Sequence, residues 1–245
     1  MSFKILGACA LFALPLAGCS SGDDVIVMPR DGVTSQSLSC PRAPGENVCD
    51  RRFEVPDDEH ADYVAALQTT YTFAGQARDV LRGVVDACEQ ILIDIDEAPD
   101  RSSPDLVARA KAACRVVGLR YHAWPAGTFT ISASVPECAR VEPPWCAPAA
   151  SLTRCAAPAI AVSVADEAPE EAKVLGASFE RNGGVFYALR VELEGAASLS
   201  GAMAGNVGAL AGGDACIPGA IETATRATSE LSAAVHAVSD ALPGG

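Results

Sequence analysis

Ten cysteines are spread over the 245 residues of this chain, and their spacing limits how it can fold. No two stand in a C-x-x-C arrangement, and the nearest pairs beyond residue 19 are separated by seven or eight residues. Zinc ribbons do not use that spacing. An even number of cysteines predicts a disulfide framework if the chain folds in an oxidising compartment. The eight cysteines beyond residue 19 are Cys40, Cys49, Cys88, Cys114, Cys138, Cys146, Cys155 and Cys216.

The first eighteen residues indicate such a compartment. Lys4 supplies a positive charge near the start, and Ile5–Leu16 is an uncharged, mostly apolar run of twelve residues. A run of that length is too short for a permanent transmembrane helix and is typical of an export signal. We therefore predict that residues 1–18 are a signal peptide and that the mature chain folds where disulfides persist.

The end of this signal is more specific. Leu16-Ala17-Gly18-Cys19 resembles the bacterial lipobox, in which a branched apolar residue and two small residues precede a cysteine. The resemblance implies that Cys19 receives a diacylglyceryl group, becomes the first mature residue and is acylated, which makes a stable membrane anchor. The residue after Cys19 is Ser20 rather than Asp, and this resembles the sorting signal of lipoproteins that go to the outer membrane. The alternative is an ordinary secretory signal.

The mature chain is strongly acidic. Without Lys4, 17 basic residues face 31 acidic ones, which gives a net charge of −14. This charge favours solubility and argues against nucleic acid or an anionic lipid surface as a partner. Aromatic residues make up only 5% of the chain, so we expect a core of Ala, Val, Leu and Ile.

Composition and periodicity predict a mainly α-helical fold behind a flexible tether. The tether, residues 19–56, is rich in Ser, Gly, Asp and Pro and has no sustained period. Within it, Cys40 and Cys49 flank a turn-rich loop, and we expect a local bridge between them. Two antiparallel helical hairpins should form an elongated bundle or coiled coil. The predicted segments are a hairpin over 57–122, a disulfide-held β insert over 123–166, and a second hairpin over 167–245 that packs on the first.

The first helix of the first hairpin has a regular apolar period. The acidic residues 57–59 suit its start, and it should end near Asp96, before Pro99. Apolar residues at steps of mostly three and four predict one buried face. This face consists of Leu67, Ala74, Ala77, Leu81, Val84, Cys88, Ile91 and Ile95.

The second helix of this hairpin should begin at Ser103 and Pro104, which fit its cap and first position. Gly118 fits a left-handed end. In an antiparallel hairpin, facing residues have numbers with a constant sum, and the midpoint between Cys88 and Cys114 falls in the expected turn. We therefore predict a Cys88–Cys114 bridge.

The β insert has little apolar material of its own. Thr128–Val135 alternates polar and apolar residues, which predicts a half-buried strand, and Ile160–Val164 predicts a second strand. Disulfides should hold the segment between them. One of its three cysteines is left to pair with Cys216, and the three choices fit equally well. These cysteines are Cys138, Cys146 and Cys155.

The second hairpin is less clearly marked. Glu170–Phe179 predicts a short helix that ends at Asn182-Gly183-Gly184. Residues 185–193 alternate as a strand would, but helical spacing that continues to Leu210 favours a helix. A final helix is predicted to bury Ile217, Ile221, Ala224, Leu231, Val235, Val238 and Leu242 on one face.

Several groups of residues are candidate sites, each with a plainer explanation. Gly201-x-x-x-Gly205 lies in an uncharged but weakly apolar stretch, which favours close helix packing over a membrane span. The three histidines lie in separate segments, and the acidic run 94–100 lacks the rhythm of a calcium loop. Trp124 and Trp145 form either a platform for a sugar or partner, or anchors of a small core.

Common catalytic motifs are missing from the sequence. It contains no G-x-S-x-G, no phosphate-binding loop, no H-E-x-x-H and no dinucleotide fingerprint after a strand. We therefore expect a non-enzymatic protein without a cofactor.

Short motifs in the helices and the insert resemble a group of uncharacterised lipoproteins from myxobacteria and relatives. The motifs are Ala87-Cys88-Glu89, Lys111-Ala112-Ala113-Cys114, Glu137-Cys138 and Glu142-Pro143-Pro144-Trp145-Cys146. That group places paired Ala-Cys helices before a Cys-rich insert and then returns to helix, a likeness that covers residues 57–242. The insert of this chain is shorter than the long array common in the group. The group has no established activity, so the resemblance implies architecture and compartment only.

These features predict an envelope lipoprotein anchored to the membrane through Cys19. We expect it to act as a helical scaffold, spacer or adaptor. The alternative is a binding module whose Cys-rich β insert recognises a glycan, a peptide or another envelope protein.

Overall fold

The computed structural model of the chain describes residues 40–49, 51, 53, 55–57, 59–141, 152–192 and 216–241. Among these residues, no helix combines the length and the apolar composition that a bilayer crossing needs. The predicted features that lie outside them are the signal peptide 1–18, Cys19, most of the tether, Trp145, Cys146, the Gly201–Gly205 motif and Leu242.

The described residues form a mainly helical fold with two small antiparallel sheets, in agreement with the predicted fold class. The helices are α1 (His60–Asp94), α2 (Leu106–His122), α3 (Glu170–Asn182), α4 (residues 184–192) and α5 (Ile217–Ala241). The strands are β1 (Phe129–Ala133), β2 (Cys138–Val141), β3 (Leu152–Cys155) and β4 (Ile160–Val164).

Helix α1 is the element on which α2, α3 and α5 pack. Its 35 residues give it a length of about 52 Å. The predicted face is buried from Leu67 to Ile91, and Ile95 follows the helix and is partly buried. Burial also extends to polar side chains, including Gln68 and Gln76. Neighbouring segments therefore surround α1 on more than one face.

The end of α1 shows how the sequence stops this helix. Asp96 adopts a left-handed conformation with φ of 60°, which Asp tolerates better than most residues. The backbone N–H of Glu97 donates to the carbonyl of Leu92 at 2.9 Å, and that of Asp96 donates to Ile93 at 3.1 Å. This pair of bonds is a Schellman motif, so the helix ends at Asp94, close to the predicted stop.

Helix α5 runs beside α1 in the same direction. Cys216, which precedes α5, shares a hydrophobic cluster with Leu67 in the first third of α1. Ala234, late in α5, shares the main core with Val84. Both helices therefore advance from the same end of the fold.

The predicted apolar face of α5 is partly wrong. Ile221 and Val235 are 47% and 43% exposed, although the periodicity assigned both to the core. Alanines form most of the buried face instead, because small side chains let two helix axes approach closely. The buried residues are Ala220, Ala224, Ala227, Ala233, Ala234, Ala237, Val238 and Ala241.

Helix α2 differs from its predicted limits at both ends. Asp105, not Ser103, is the N-cap, and its carboxylate accepts a hydrogen bond from the N–H of Val107 at 3.0 Å. Gly118 lies inside the helix instead of ending it. A Cβ added at Gly118 would lie 2.0 Å from the carbonyl oxygen of Asp240, so this glycine allows α2 to approach the end of α5.

Each of the two sheets is a pair of antiparallel strands within the predicted insert. Strands β1 and β4 match the two predicted strands and pair antiparallel, with Ile131 opposite Val162. Strands β2 and β3 were not predicted, and they pair with Cys138 opposite Cys155. Their short lengths and flanking prolines give them no clear period in the sequence.

Helices α3 and α4 follow the insert. Helix α3 begins at Glu170, as predicted, and ends at Asn182 with Gly183 as its C-cap. The next described residues, 184–192, are helical, which decides between the strand and helix interpretations of this stretch. Phe186 and Leu189 belong to the main core.

The prediction of a flexible tether is wrong from residue 40 onward. We call the described residues from Cys40 to Asp57 the strap, because they lie along the first third of α1. Val48 is fully buried, and its N–H donates to the amide oxygen of Gln68 at 2.8 Å. The hydroxyl of Tyr71 donates to the carbonyl of Pro41 at 2.7 Å. Buried contacts with α1 override the loop-like composition of this segment.

The disulfides differ from the predictions except at the first hairpin. The predicted Cys88–Cys114 bridge is present, with both residues fully buried. Cys40 pairs with Cys216 rather than with Cys49, so the local bridge is a wrong prediction.

The remaining described cysteines also lie in bridges. Cys138 pairs with Cys155 and Cys216 pairs with Cys40, so the prediction that Cys216 is bridged to a cysteine of the insert is wrong. Cys49 is disulfide-bonded as well.

Candidate functional site

A tight turn connects α2 to β1 and carries Trp124. The N–H of Thr128 donates to the carbonyl of Pro125 at 3.1 Å, which closes a four-residue turn. Gly127 is its third residue and has φ of 90°, as a type II turn requires. A side chain at that position would be strained, so the Pro-Ala-Gly sequence fixes the path of the chain.

Two clefts adjoin on the sides of this turn. Trp124, Pro125, Ala126 and Gly127 line both of them. The aromatic cleft, about 390 Å³, adds Tyr121, His122 and Phe129. The acidic cleft, about 410 Å³, adds Thr128, Ala165, Glu167, Ala168 and Pro169.

Ring contacts hold the wall of the aromatic cleft. Tyr121 stacks on Phe129 with ring centroids 4.9 Å apart, and it meets His122 edge-on at 5.5 Å. Behind it, Phe179 of α3 lies 6.0 Å from the Tyr121 ring and belongs to the main core. Burial, and then the nearby Tyr187, raise the pKa of Tyr121 above its ordinary value. Its phenol therefore stays neutral and keeps its proton for donation.

The acidic cleft is closed by the chain that leaves β4. The N–H of Ala165 donates to the carbonyl of Thr128 at 2.9 Å, and the N–H of Ala168 donates to that of Ala165 at 2.9 Å. These bonds bring residues 165–169 beside the Trp124 turn. Of the described residues that line this cleft, Glu167 is the only charged one.

Three polar side chains at the clefts have no polar partner in the part of the chain that the structure describes. Within the described parts of the chain, the Trp124 indole, the His122 imidazole and the Glu167 carboxylate form no hydrogen bond and no ion pair. Ligand sites typically combine an apolar, concave wall with a few such groups, in volumes of about 300–1,000 Å³. The two clefts have both of these features of a ligand site.

The acidic residues of the α1–α2 connection bind protein groups rather than forming an open site. Asp94 accepts from the hydroxyl of Ser178 and from a guanidinium N–H of Arg181, both at 2.8 Å. Glu97 pairs with Arg120. Among the described residues, no group of three His, Cys, Asp or Glu side chains could hold a metal ion.

The histidines lie in different surroundings. His60 lies 6.3 Å from the ring of Phe53 in the strap, His122 borders the aromatic cleft, and His236 is exposed on α5. The structure therefore keeps the three apart.

The sequence indicated only part of the candidate site. It singled out Trp124, but Glu167 lies 43 residues later and becomes its neighbour through the β1–β4 pairing. The Trp-Pro-Ala-Gly turn was the available signal, because Pro and Gly favour a fixed turn beside an aromatic residue. Trp145, the other predicted platform residue, lies outside the described residues.

Comparison with known proteins adds no relative. Neither the protein-family models, nor the curated proteins, nor the solved structures include a significant match to this chain.

Proposed function

We propose that this chain is a non-enzymatic envelope lipoprotein, anchored in the outer membrane through Cys19, that acts as a helical scaffold, spacer or adaptor. The observation that carries the proposal is the covalent link between the strap and α5 at Cys40–Cys216. A pull from the lipid would reach the helices through this bond and through the buried contacts of the strap.

The strap also limits how far the helices can move from the membrane. From Cys19 to Cys40 the chain has 21 steps, which span at most about 75 Å when fully extended. A tether that continued to residue 56 would reach almost twice as far. The short connection suits a scaffold held at a defined distance.

We also propose that the helices form an elongated bundle in which α4 and α5 are an antiparallel hairpin. Phe186 and Leu189 of α4 share the main core with Val84 and Ala234, whereas α5 begins beside Leu67. Leu189 also lies beside Gly83. Arg154 pairs with both Glu192 and Asp79, so α4 advances towards the start of α1. Because α5 advances in the opposite direction, these contacts support an antiparallel second hairpin, α4 with α5.

Intact mass of the detergent-extracted protein tests the anchor. A chain that begins at Cys19 should carry the added mass of a diacylglyceryl group and an N-acyl group. Cys19→Ala should remove that mass, while Cys9→Ala, within the signal, should leave it unchanged. Wild-type protein without lipid mass would contradict the anchor.

Tether length tests the spacer role. Twenty Gly/Ser residues inserted after Ser21 should alter the complementation of an envelope defect in a deletion strain. The same residues added after Gly245 lengthen the chain without moving the helices, and we expect normal complementation. Equal complementation by both variants would contradict a spacer.

A second function, that of a binding module, is favoured by the clefts beside Trp124. The two clefts are built from both flanks of the predicted insert, residues 124–129 and 165–169, rather than from β2 and β3. Trp124→Ala should abolish capture of a partner by the soluble Cys19→Ala protein if this function holds. Leu119→Ala, an exposed apolar change on α2 that lines neither cleft, is the control.

A further inference from the structure

We propose that the aromatic and acidic clefts together bind an extended basic peptide. One Lys or Arg side chain would enter the acidic cleft beside Trp124 and Glu167, and a neighbouring apolar side chain would enter the aromatic cleft. This inference rests on the binding function proposed above and names its ligand class.

Charge is the first argument. Among the described residues, the carboxylate of Glu167 has no cationic partner and no basic side chain lines the acidic cleft. Three further exposed carboxylates lie within four residues of Glu167 in the sequence: Asp166, Glu170 and Glu171. The whole protein also carries a net charge of −13. A cation is attracted to such a rim, whereas an anion is repelled.

The aromatic surface is the second argument. A cation is attracted to the face of an indole ring, and Trp is the best of the aromatic residues for this contact. Trp124 packs partly against the core, so its ring is held in place before a ligand arrives. Its unused indole N–H can donate to a peptide carbonyl. Arg and Lys also bury their apolar stems against such surfaces.

The shape of the site is the third argument, and it favours a peptide over a single small cation. Two clefts of similar volume share one wall, the Trp124–Gly127 turn. A ligand that fills both clefts must place one group on each side of that turn. Extended, proline-containing peptides bind aromatic-lined grooves in this way, since their backbone is already ordered.

A fluorescence titration tests the proposal. The protein is the full mature chain with Cys19→Ala, and Trp145→Phe leaves Trp124 as the only tryptophan. The probes are the capped pentapeptides Ala-Pro-Lys-Pro-Ala and Ala-Pro-Gln-Pro-Ala, with chitotriose as a neutral glycan. We expect the Lys peptide to bind at least about fivefold more tightly than the Gln peptide, and less tightly as salt is raised.

Two variants separate the cleft from the general acidity of the protein. Glu167→Gln should weaken binding of the Lys peptide about fivefold and leave the Gln peptide unchanged. Glu170→Gln removes one exposed charge near the acidic cleft but outside its lining, and we expect less than a twofold change. Thermal unfolding followed by circular dichroism checks that both variants fold.

The outcomes distinguish this inference from the binding function itself. Equal binding of the two peptides, or equal effects of the two variants, would overturn the basic-peptide proposal. Chitotriose binding that shifts Trp124 fluorescence, without binding of the Lys peptide, would also overturn it but would keep the binding module. If no probe bound at 10 mM, a concentration on the order of the weakest specific dissociation constants, both the basic-peptide proposal and the binding function would be contradicted.

Discussion

The two ends of α1 hold their neighbours by different chemistry. In its first third, the strap is fastened by neutral groups: the Cys40–Cys216 disulfide, the amide of Gln68 and the hydroxyl of Tyr71. Near its C-terminal end, two carboxylates fasten α2 and α3 in addition to the Cys88–Cys114 bridge. Glu89 is buried between two arginines, and Asp94 binds α3.

This difference means that the two ends should respond to different conditions. Neutral hydrogen bonds do not titrate, and a disulfide acts mainly by limiting the unfolded chain. Ion pairs depend on protonation and on what remains unpaired when one partner is lost. We therefore expect the strap to be sensitive to reduction and insensitive to acid, whereas the carboxylate end should weaken with acid.

Loss of the strap disulfide should have the largest effect. The Cys40–Cys216 bridge closes a loop of 176 residues. Chain entropy predicts that the double variant Cys40→Ala, Cys216→Ala loses about 5 kcal/mol in the free energy of unfolding. Urea unfolding measures this loss.

The bridge between β2 and β3 provides the control. Cys138–Cys155 spans 17 residues, and its removal by Cys138→Ala, Cys155→Ala should cost about 3 kcal/mol or less. If the two double variants were equally stable, the strap would not be an integral part of the fold.

At the opposite end, Glu89→Gln should have the next largest effect. The side chain of Glu89 is 3% exposed, its Oε2 accepts from Nε of Arg101 at 2.6 Å, and its Oε1 accepts from Nε of Arg109 at 2.9 Å. Losing one member of a buried ion pair typically costs about 3–5 kcal/mol, because the remaining charge is left without a partner. We expect about 3 kcal/mol here, since Arg101 is largely exposed.

Glu97→Gln is the matched control for that variant. Glu97 also pairs with an arginine of α2, Arg120, but the side chain of Glu97 is 28% exposed, against 3% for Glu89. Exposed pairs contribute about 0–1 kcal/mol. The loss in the free energy of unfolding, measured with urea at pH 7, should therefore be clearly larger for Glu89→Gln than for Glu97→Gln. Equal losses would argue against a special role for burial.

The sequence predicted contacts that are local and missed those made by distant segments. The Cys88–Cys114 bridge joins two helices that are neighbours in the sequence, whereas Cys40–Cys216 depends on α5 lying parallel to α1. Composition predicted that the tether, residues 19–56, continues past residue 40. Nothing in a Pro- and Gly-rich segment reveals that Val48 is buried against α1.

Helix α5 shows a second limit of sequence patterns. The apolar period marked its larger residues, Ile221 and Val235, yet close packing on α1 selects alanines. Periodicity shows that a face exists, but size complementarity with an unknown neighbour decides which residues occupy it. The candidate site was half predicted for the same reason, since Glu167 is brought to Trp124 by strand pairing.

A single methyl group tests how closely the strap packs. A Cβ added at Gly75 of α1 would lie 2.8 Å from the Cα of Gly45. Gly75→Ala should therefore push the strap outward and weaken the hydrogen bond from the N–H of Gly45 to the carbonyl of Tyr71, now 2.7 Å. We expect a loss of about 2 kcal/mol, as for other overpacked sites.

Gly219→Ala is the control for that clash. Nothing lies within 4 Å of a Cβ added at this helical position in α5. Replacing a helical glycine by alanine stabilises by up to about 1 kcal/mol, so this variant should gain stability. Thermal unfolding should shift in opposite directions for the two variants, and equal shifts would contradict close contact between the strap and α1.

The smallest expected effect is the loss of unfolding free energy when acid protonates Asp94. Burial alone would raise the pKa of Asp94, but hydrogen bonds from Arg181, Ser178 and Gln90 outweigh it and lower the pKa from 3.8 to about 2. The folded pKa lies below the unfolded one, so the ionised group stabilises the fold fully above about pH 4. This contribution, about 1–2 kcal/mol after allowance for solvent screening, is lost as the pH falls from about 4 to about 2.

Asp94→Asn should therefore be less stable than the wild type by that amount between pH 5 and about pH 7, and the difference should vanish near about pH 2. Urea unfolding over this pH range measures the difference. Glu180→Gln, an exposed change on the same helix as Arg181, should show no such convergence. A difference for Asp94→Asn that stays constant down to about pH 2 would mean that shape, and not charge, joins α1 to α3. The strap and the carboxylate end would then respond alike to acid.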